Sequence, residues 1–400
     1  MSLSDFYQYQ AQTTPHPLGM EISHAKGSYI YDKNEKRYLD FVAGVSACSL
    51  GHGHPRVVDA IKAQLDSYLH VMVYGEYVQQ PCVDLCKLLA AQLPHPLTKT
   101  YLVNSGTEAI EGALKLAKRA TGRTELIACH HAYHGNTQGS MSVMGHEERK
   151  RAFRPLLPDV NFITFNKIED IDKITSRTAG VILETIQGGA GFVLPENGYL
   201  EKVRRRCTEV GALLILDEIQ PGFGRTGKLF GFEHFGLVPD IVVMGKGMGG
   251  GMPVGAFTAS EAHMDLLKDH PKLGHITTFG GHPVIAAACL ATLQELTETD
   301  LMVQTLEKEK LFRQMLVHPL IKEVRGMGLM LALMLPSVEI ANKLISKCQD
   351  KGLILFWLLF EPCAARVTPP LTISKQEIIE GCQIILESLD ELYKPGELVN

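Results

Sequence analysis

The sequence predicts an α/β protein with a large domain, whose mainly parallel sheet is sandwiched by helices, and a smaller α+β domain. Two patterns and the chain length carry this expectation. From about Pro55 onward, helical stretches take turns with short apolar runs at 125–129, 160–165, 180–183, 212–216 and 241–244. Runs that are apolar at every position suit central strands covered on both faces, and strand–helix alternation favours a parallel sheet with a helical layer on each side. The last hundred residues change rhythm, with helical stretches at 301–316 and 338–351 around a strand at 328–335. A chain of 400 residues also exceeds a comfortable single core. The expected division is an N-terminal segment, 1–55, contributing to the small domain, a large domain at 56–290, and a C-terminal small domain at 291–400.

Taken in order, residues 28–41 (SYIYDKNEKRYLDF) alternate in polarity and turn at 32–34, which suggests a hairpin. Residues 109–119 (AIEGALKLAKR) read as a helix, and 286–296 as a second helix that opens the link to the C-terminal domain. The longest apolar run, 353–360, is far too short to span a bilayer and reads as one buried strand.

Composition narrows the function classes. Apolar residues make up 45% and charged residues 21% of the chain, as in ordinary globular proteins. The net charge is −5 with no basic runs, so neither nucleic acid nor an anionic membrane is an expected partner; a small molecule is. Nine cysteines without a CxxC pair argue against a disulfide framework or a cysteine zinc site. With no basic, then apolar, leader at the N-terminus, a cytoplasmic location is expected.

Three segments bear chemistry. Asn104-Ser105-Gly106-Thr107-Glu108 follows an apolar segment and opens a helix. Free N–H groups and the positive end of the helix dipole bind phosphate there, although Ser105 or Thr107 serving only as a helix cap explains the same residues. Residues 212–220 (ALLILDEIQ) end an apolar strand at Asp217 and Glu218. Ligands of open α/β sheets sit at that edge, and so do carboxylates that cap helices or hold metals. Lys246 lies among glycines directly after a third strand (MGKGMGGG), open to close approach by a ligand. Burial there would lower its pKa toward carbonyl chemistry. A nucleotide-binding P-loop is excluded because Gly247, not Ser or Thr, follows the lysine. Histidines at 130, 131 and 134 have zinc-like spacing but no carboxylate or cysteine in register, so no metal is expected.

Together these segments resemble, in order and spacing, the class III aminotransferases: the ornithine, acetylornithine and 4-aminobutyrate group of type I pyridoxal-phosphate (PLP) enzymes. The resemblance runs from about Pro15 to Leu392. It is carried by Asp40-Phe41 with GHGHP at 51–55, NSGTEA at 104–109, DEIQPGFGRTGK at 217–228, PDIVVMGKGMGGGMPVGA at 239–256, TTFGGHP at 277–283 and RVTPPL at 366–371. It implies the PLP-dependent transferase fold (type I), with residues 56–290 binding the coenzyme. Lys246 resembles the Schiff-base lysine, and Asp217 the carboxylate that keeps the pyridine nitrogen protonated. Tyr133 takes the place of the aromatic stacked on the coenzyme ring, and Gln220 that of the residue near the ring oxygen. Ser105, Gly106 and Thr107 correspond to the phosphate loop, and His134 and Glu184 to further coenzyme contacts. Thr278 corresponds to a residue that reaches the neighbouring site of a homodimer.

The resemblance also locates departures. Glutamate-using members carry an arginine where this chain has Asn136, and a glutamate, paired with the arginine before the Pro-Pro, where it has Gly189. Arg366 is therefore expected to act as an ungated clamp for a substrate carboxylate, with Asn136 and Gly189 lining the substrate side. Gly-His-Pro at 281–283 is closer to the ω-amino acid:pyruvate branch. The expected reaction moves an amino group from an amino acid or ω-amino donor such as ornithine, acetylornithine or 4-aminobutyrate to 2-oxoglutarate or pyruvate. An aminomutase, racemase or decarboxylase on the same fold would share Lys246 and Asp217, and stands as the alternative.

Overall fold

The structure, a computed structural model, describes residues 3–196 and 198–393. Three sheets organise it. The first is β1 (Ile22–Lys26), β2 (Tyr29–Asp32) and β3 (Arg37–Asp40), closed by β13 (Leu353–Ile354), which pairs parallel to β3. The expected hairpin is present as the antiparallel pair β2 and β3.

The second sheet has seven strands: β4 (Lys99–Val103), β5 (Glu125–Cys129), β6 (Val160–Ile163), β7 (Thr178–Glu184), β8 (Leu213–Asp217), β9 (Ile241–Gly245) and β10 (Gly255–Ala259), in the order β4-β10-β9-β8-β7-β5-β6. The five from β9 to β6 are parallel, as their unbroken apolar runs imply, and every residue of β5, β7 and β9 is buried. Strand β10 is antiparallel to both β9 and β4, so β4 runs in the same direction as the parallel five. The carboxyl ends of β4, β5, β7, β8 and β9 thus share one edge of the sheet, where ligands of open α/β sheets bind.

The third sheet takes β11 (Glu323–Met327), β12 (Met330–Met334), β15 (Ala364–Val367) and β14 (Phe356–Trp357), in that order. The apolar run 353–360 is not one buried strand. It divides into β13 and β14, which join different sheets, and Phe356 is 39% exposed. The helices Leu301–Met315, Val338–Asp350 and Lys375–Asp390 accompany this region, the last starting in a capping box made by Ser374 and Glu377. Among the described residues no helix is long and apolar enough to cross a membrane.

Candidate active site

A cavity of about 600 Å³ opens where the carboxyl edge of the large sheet meets the third sheet. Each strand delivers its chemistry through its last residue or the turn after it. Strand β4 leads to Ser105, whose extended backbone caps the helix Gly106–Thr121 and whose Oγ accepts the Glu108 N–H at 3.4 Å. The N–H groups of Gly106 and Thr107 lie in the first turn, where an α-helix offers them no partner, so they are available to an anion. Gly106 and Thr107 line the cavity; Ser105 is not part of its wall. The Thr107 hydroxyl is already held by Ser140 Oγ at 2.6 Å and Thr137 Oγ1 at 2.9 Å, two residues that the sequence reading did not single out. Behind them, Gly135 has φ of +132°, and a Cβ there would stand 2.3 Å from Thr107 Oγ1, so any side chain would push Thr107 aside.

Strands β7 and β8 pair so that Glu184 lies beside Asp217, both at the sheet edge. Asp217 is buried. Its Oδ2 is 2.8 Å from His134 Nδ1, and its Oδ1 accepts the Ile219 N–H at 3.0 Å. His134 Nε2 is buried with no partner among the described residues. Glu184 accepts the Tyr133 N–H at 3.2 Å and the Gly188 N–H at 2.9 Å, which fixes the loop carrying Tyr133 and His134. Burial pushes the Glu184 carboxyl up to about 7, with the Asp217 charge adding to the rise.

Lys246 follows β9 with a positive φ of 43°, a conformation unfavourable for a residue with a Cβ, and its side chain enters the cavity. Burial is the main cause that lowers its pKa, and the Arg366 charge acts in the same direction; Asp217 and Glu184 oppose it. A lysine so placed keeps a larger share of neutral, nucleophilic amine than one in water.

Gln220 lines the same space, its Nε2 donating to Ser46 Oγ at 3.4 Å. Asn136, Gly189 and Arg366 line the same cavity. Arg366 projects from β15, is 6% exposed and has Nε and Nη1 buried with no partner among the described residues; burial lowers its pKa to about 10. Gly189 has its own physical reason: a Cβ there would lie 2.7 Å from the Phe360 ring, so that ring fills the volume a side chain at 189 needs. Thr278 is exposed and outside this cavity.

One cationic wall residue was not anticipated. Arg149 lines the cavity from the short helix Glu147–Lys150. In sequence it sits in the charged run EERKR, which reads as a solvated surface, and nothing local distinguishes it.

The set suits a phosphorylated, ring-bearing cofactor. Helix N–H groups are available at one end and a hydrogen-bonded carboxylate stands at the sheet edge, while the lysine and the unpaired guanidinium line the same space. Comparisons with known proteins agree. A family model described as aminotransferase class-III matches residues 9–389. The chain is 37% identical over 377 residues to the acetylornithine aminotransferase of Bacillus subtilis, covering 92% of this chain and 95% of that protein. It is 34% identical over 377 residues to the LysW-aminoadipate semialdehyde/glutamate semialdehyde transaminase of Sulfolobus acidocaldarius, covering 93% and 95%. Among solved structures, the ornithine aminotransferase of Toxoplasma gondii superposes with a TM-score of 0.91 at 29% identity, covering 98% of this chain and 96% of that one. A second structure of that enzyme, TM-score 0.90, has PLP at partial occupancy in its active site.

Proposed function

Because the chain belongs to the class III aminotransferases, PLP-dependent enzymes of fold type I, we propose that the cavity around Lys246 is where it transfers amino groups, and we assign its residues as follows. The observation that carries the assignment is the convergence of Asp217, Lys246 and the unpaired Arg366 donors on one cavity at the carboxyl edge of the sheet. When bound, PLP supplies an electron-accepting pyridinium ring that stabilises negative charge on the substrate carbon bearing nitrogen. Lys246 would hold it, with Gly106 and Thr107 at the phosphate and Ser105 keeping their helix turn in place. Asp217 would pair with the ring nitrogen. Its contacts with His134 and Ile219 orient the carboxylate. Tyr133 would cover a ring face, held by Glu184, and Gln220 would meet the ring oxygen.

Proton movement falls to the Lys246 Nζ. As a free amine it takes the proton from the substrate carbon and returns one as acid, and burial, by lowering its pKa, enlarges the share of free amine. Arg366 positions the substrate through its carboxylate, presenting Nε and Nη1 as two charge-assisted donors. Asn136 and Gly189 shape the space beyond.

The donor is proposed to be an α-amino or ω-amino acid of the ornithine or acetylornithine kind, in keeping with the names of the relatives, and the acceptor a keto acid such as 2-oxoglutarate or pyruvate. A homodimer is proposed, with Thr278 of each chain completing the phosphate site of the other. Exposed apolar side chains beside it in sequence, Ile276 and Phe279, support a covered surface. All nine cysteines are free, which supports a reducing, cytoplasmic setting. The proposed division at 55/56 and 290/291 is supported by the first and third sheets, built from residues outside 56–290; residues 394–400 of the last unit lie outside the described residues. The test is an amino-donor by keto-acid panel on PLP-loaded enzyme. Acceptor-dependent product formation is expected. A product formed equally without any keto acid would overturn amino transfer as this site's reaction.

A further inference from the structure

We propose that Arg149 is the specificity-determining cation for the second carboxylate of a dicarboxylic keto acid. This inference rests on the reading of the cavity as the transamination site. Asn136 can offer only a neutral hydrogen bond, and Arg366, deep in the cavity, serves the carboxylate next to the reacting carbon. A dicarboxylate of the 2-oxoglutarate class needs another cation farther out. Arg149 lines the same cavity and is exposed, which places it at the mouth.

Its guanidinium is held without being neutralised. Nη2 donates to the Leu359 carbonyl at 3.1 Å, and Cζ lies 5.6 Å from the centroid of the Phe360 ring. That ring is itself fixed: His146 stacks on it at 4.6 Å and 9°, and the Phe360 N–H donates to the Gly189 carbonyl at 2.9 Å. Among the described residues no carboxylate lies within ion-pair distance of Arg149, since its neighbour Glu147 pairs with Arg154 at 2.8 Å and with Lys150 at 3.9 Å. Nor can position 189 carry a masking glutamate while Phe360 stands against the Gly189 α-carbon. A guanidinium with a fixed plane and uncommitted donors suits bidentate recognition of a carboxylate. Leu358 and Leu359 line the wall near it, an apolar surface for a short methylene stem. The same site would take glutamate in the reverse half-reaction.

The experiment compares kcat/KM for 2-oxoglutarate and for pyruvate, with one amino donor and the PLP-loaded holoenzyme, in wild type, Arg149→Gln and Arg149→Lys. Wild type should prefer 2-oxoglutarate. Arg149→Gln should raise its KM roughly tenfold, the low end for a hydrogen bond to a charged group at a partly solvated site, while pyruvate kinetics stay within about twofold. Arg149→Lys should recover part of the loss, because charge remains although the planar fork is gone. The inference is overturned if Arg149→Gln leaves 2-oxoglutarate unchanged, if it impairs both acceptors equally, or if wild type does not use 2-oxoglutarate. Wild type that transfers no amino group to any acceptor would instead sink the underlying reading of the cavity.

Discussion

Replacing Arg366 with Met separates function from stability in a way that a structural arginine would not. The side chain is 6% exposed, with Nε and Nη1 buried and unpaired, and its guanidinium carbon lies 5.7 Å from the Phe192 ring centroid. Burial alone lowers its pKa from 12.5 to about 10. At 1.36 kcal/mol per pKa unit, holding the charge in the folded protein costs about 3 kcal/mol at neutral pH, where the unfolded chain carries the same charge in water. Methionine keeps most of the stem's packing and removes that penalty, so the apo variant should melt at or above the wild-type temperature. Function should fall steeply. A substrate carboxylate loses two charge-assisted hydrogen bonds, each worth about 1.5–3 kcal/mol, which corresponds to at least a hundredfold in kcat/KM. The loss should extend to pyruvate as well as larger keto acids, since all share the carboxylate next to the reacting carbon. The assay pairs steady-state kinetics for several keto acids with calorimetry of the apo protein, after confirming that PLP is retained. A variant that melts several degrees lower and uses pyruvate within twofold of wild type would refute the clamp and make Arg366 a packing residue.

Asp217→Asn should lower kcat by orders of magnitude with PLP still bound, because a neutral amide does not hold the ring nitrogen protonated; near wild-type turnover would mean that another carboxylate fills the role. His52 and buried Asp40 are 2.8 Å apart, and that hydrogen bond is the chief cause that raises the His52 pKa to about 9. A raised histidine pKa contributes stability that is complete below pH 6.5 and lost as the pH rises through about 9, up to about 3 kcal/mol. Denaturant titrations should show this decline in wild type and not in His52→Gln; parallel pH profiles would refute it. Light scattering should give a dimer, and Thr278→Ala should weaken PLP binding without dissociating it, whereas a fully active monomer would contradict the shared site.

Much of the fold was legible because burial on both faces writes itself as continuous apolar runs. Strands β5, β7, β8 and β9 match such runs to within two residues at each end. The cavity-lining residues Gly106, Thr107, Asp217 and Lys246 were legible for a related reason: small and charged residues stand directly after those runs, where a strand must end at an open edge. Strand β10 left no comparable mark, since GAFTA is short and mostly small, and its antiparallel direction depends on pairing with β9 and β4. The run 353–360 misled because hydrophobicity alone does not reveal that consecutive pairs of residues serve two sheets. Arg149 was not legible because its place in the cavity wall is set by residues 358–360, about two hundred positions away, folding against it.

Whether Lys246 carries the coenzyme is decided by borohydride reduction of the PLP-loaded protein followed by peptide mapping. A single pyridoxyl label is expected on Lys246, in the peptide that follows the buried strand Ile241–Gly245. A label on Lys228, or on any other lysine, would contradict it.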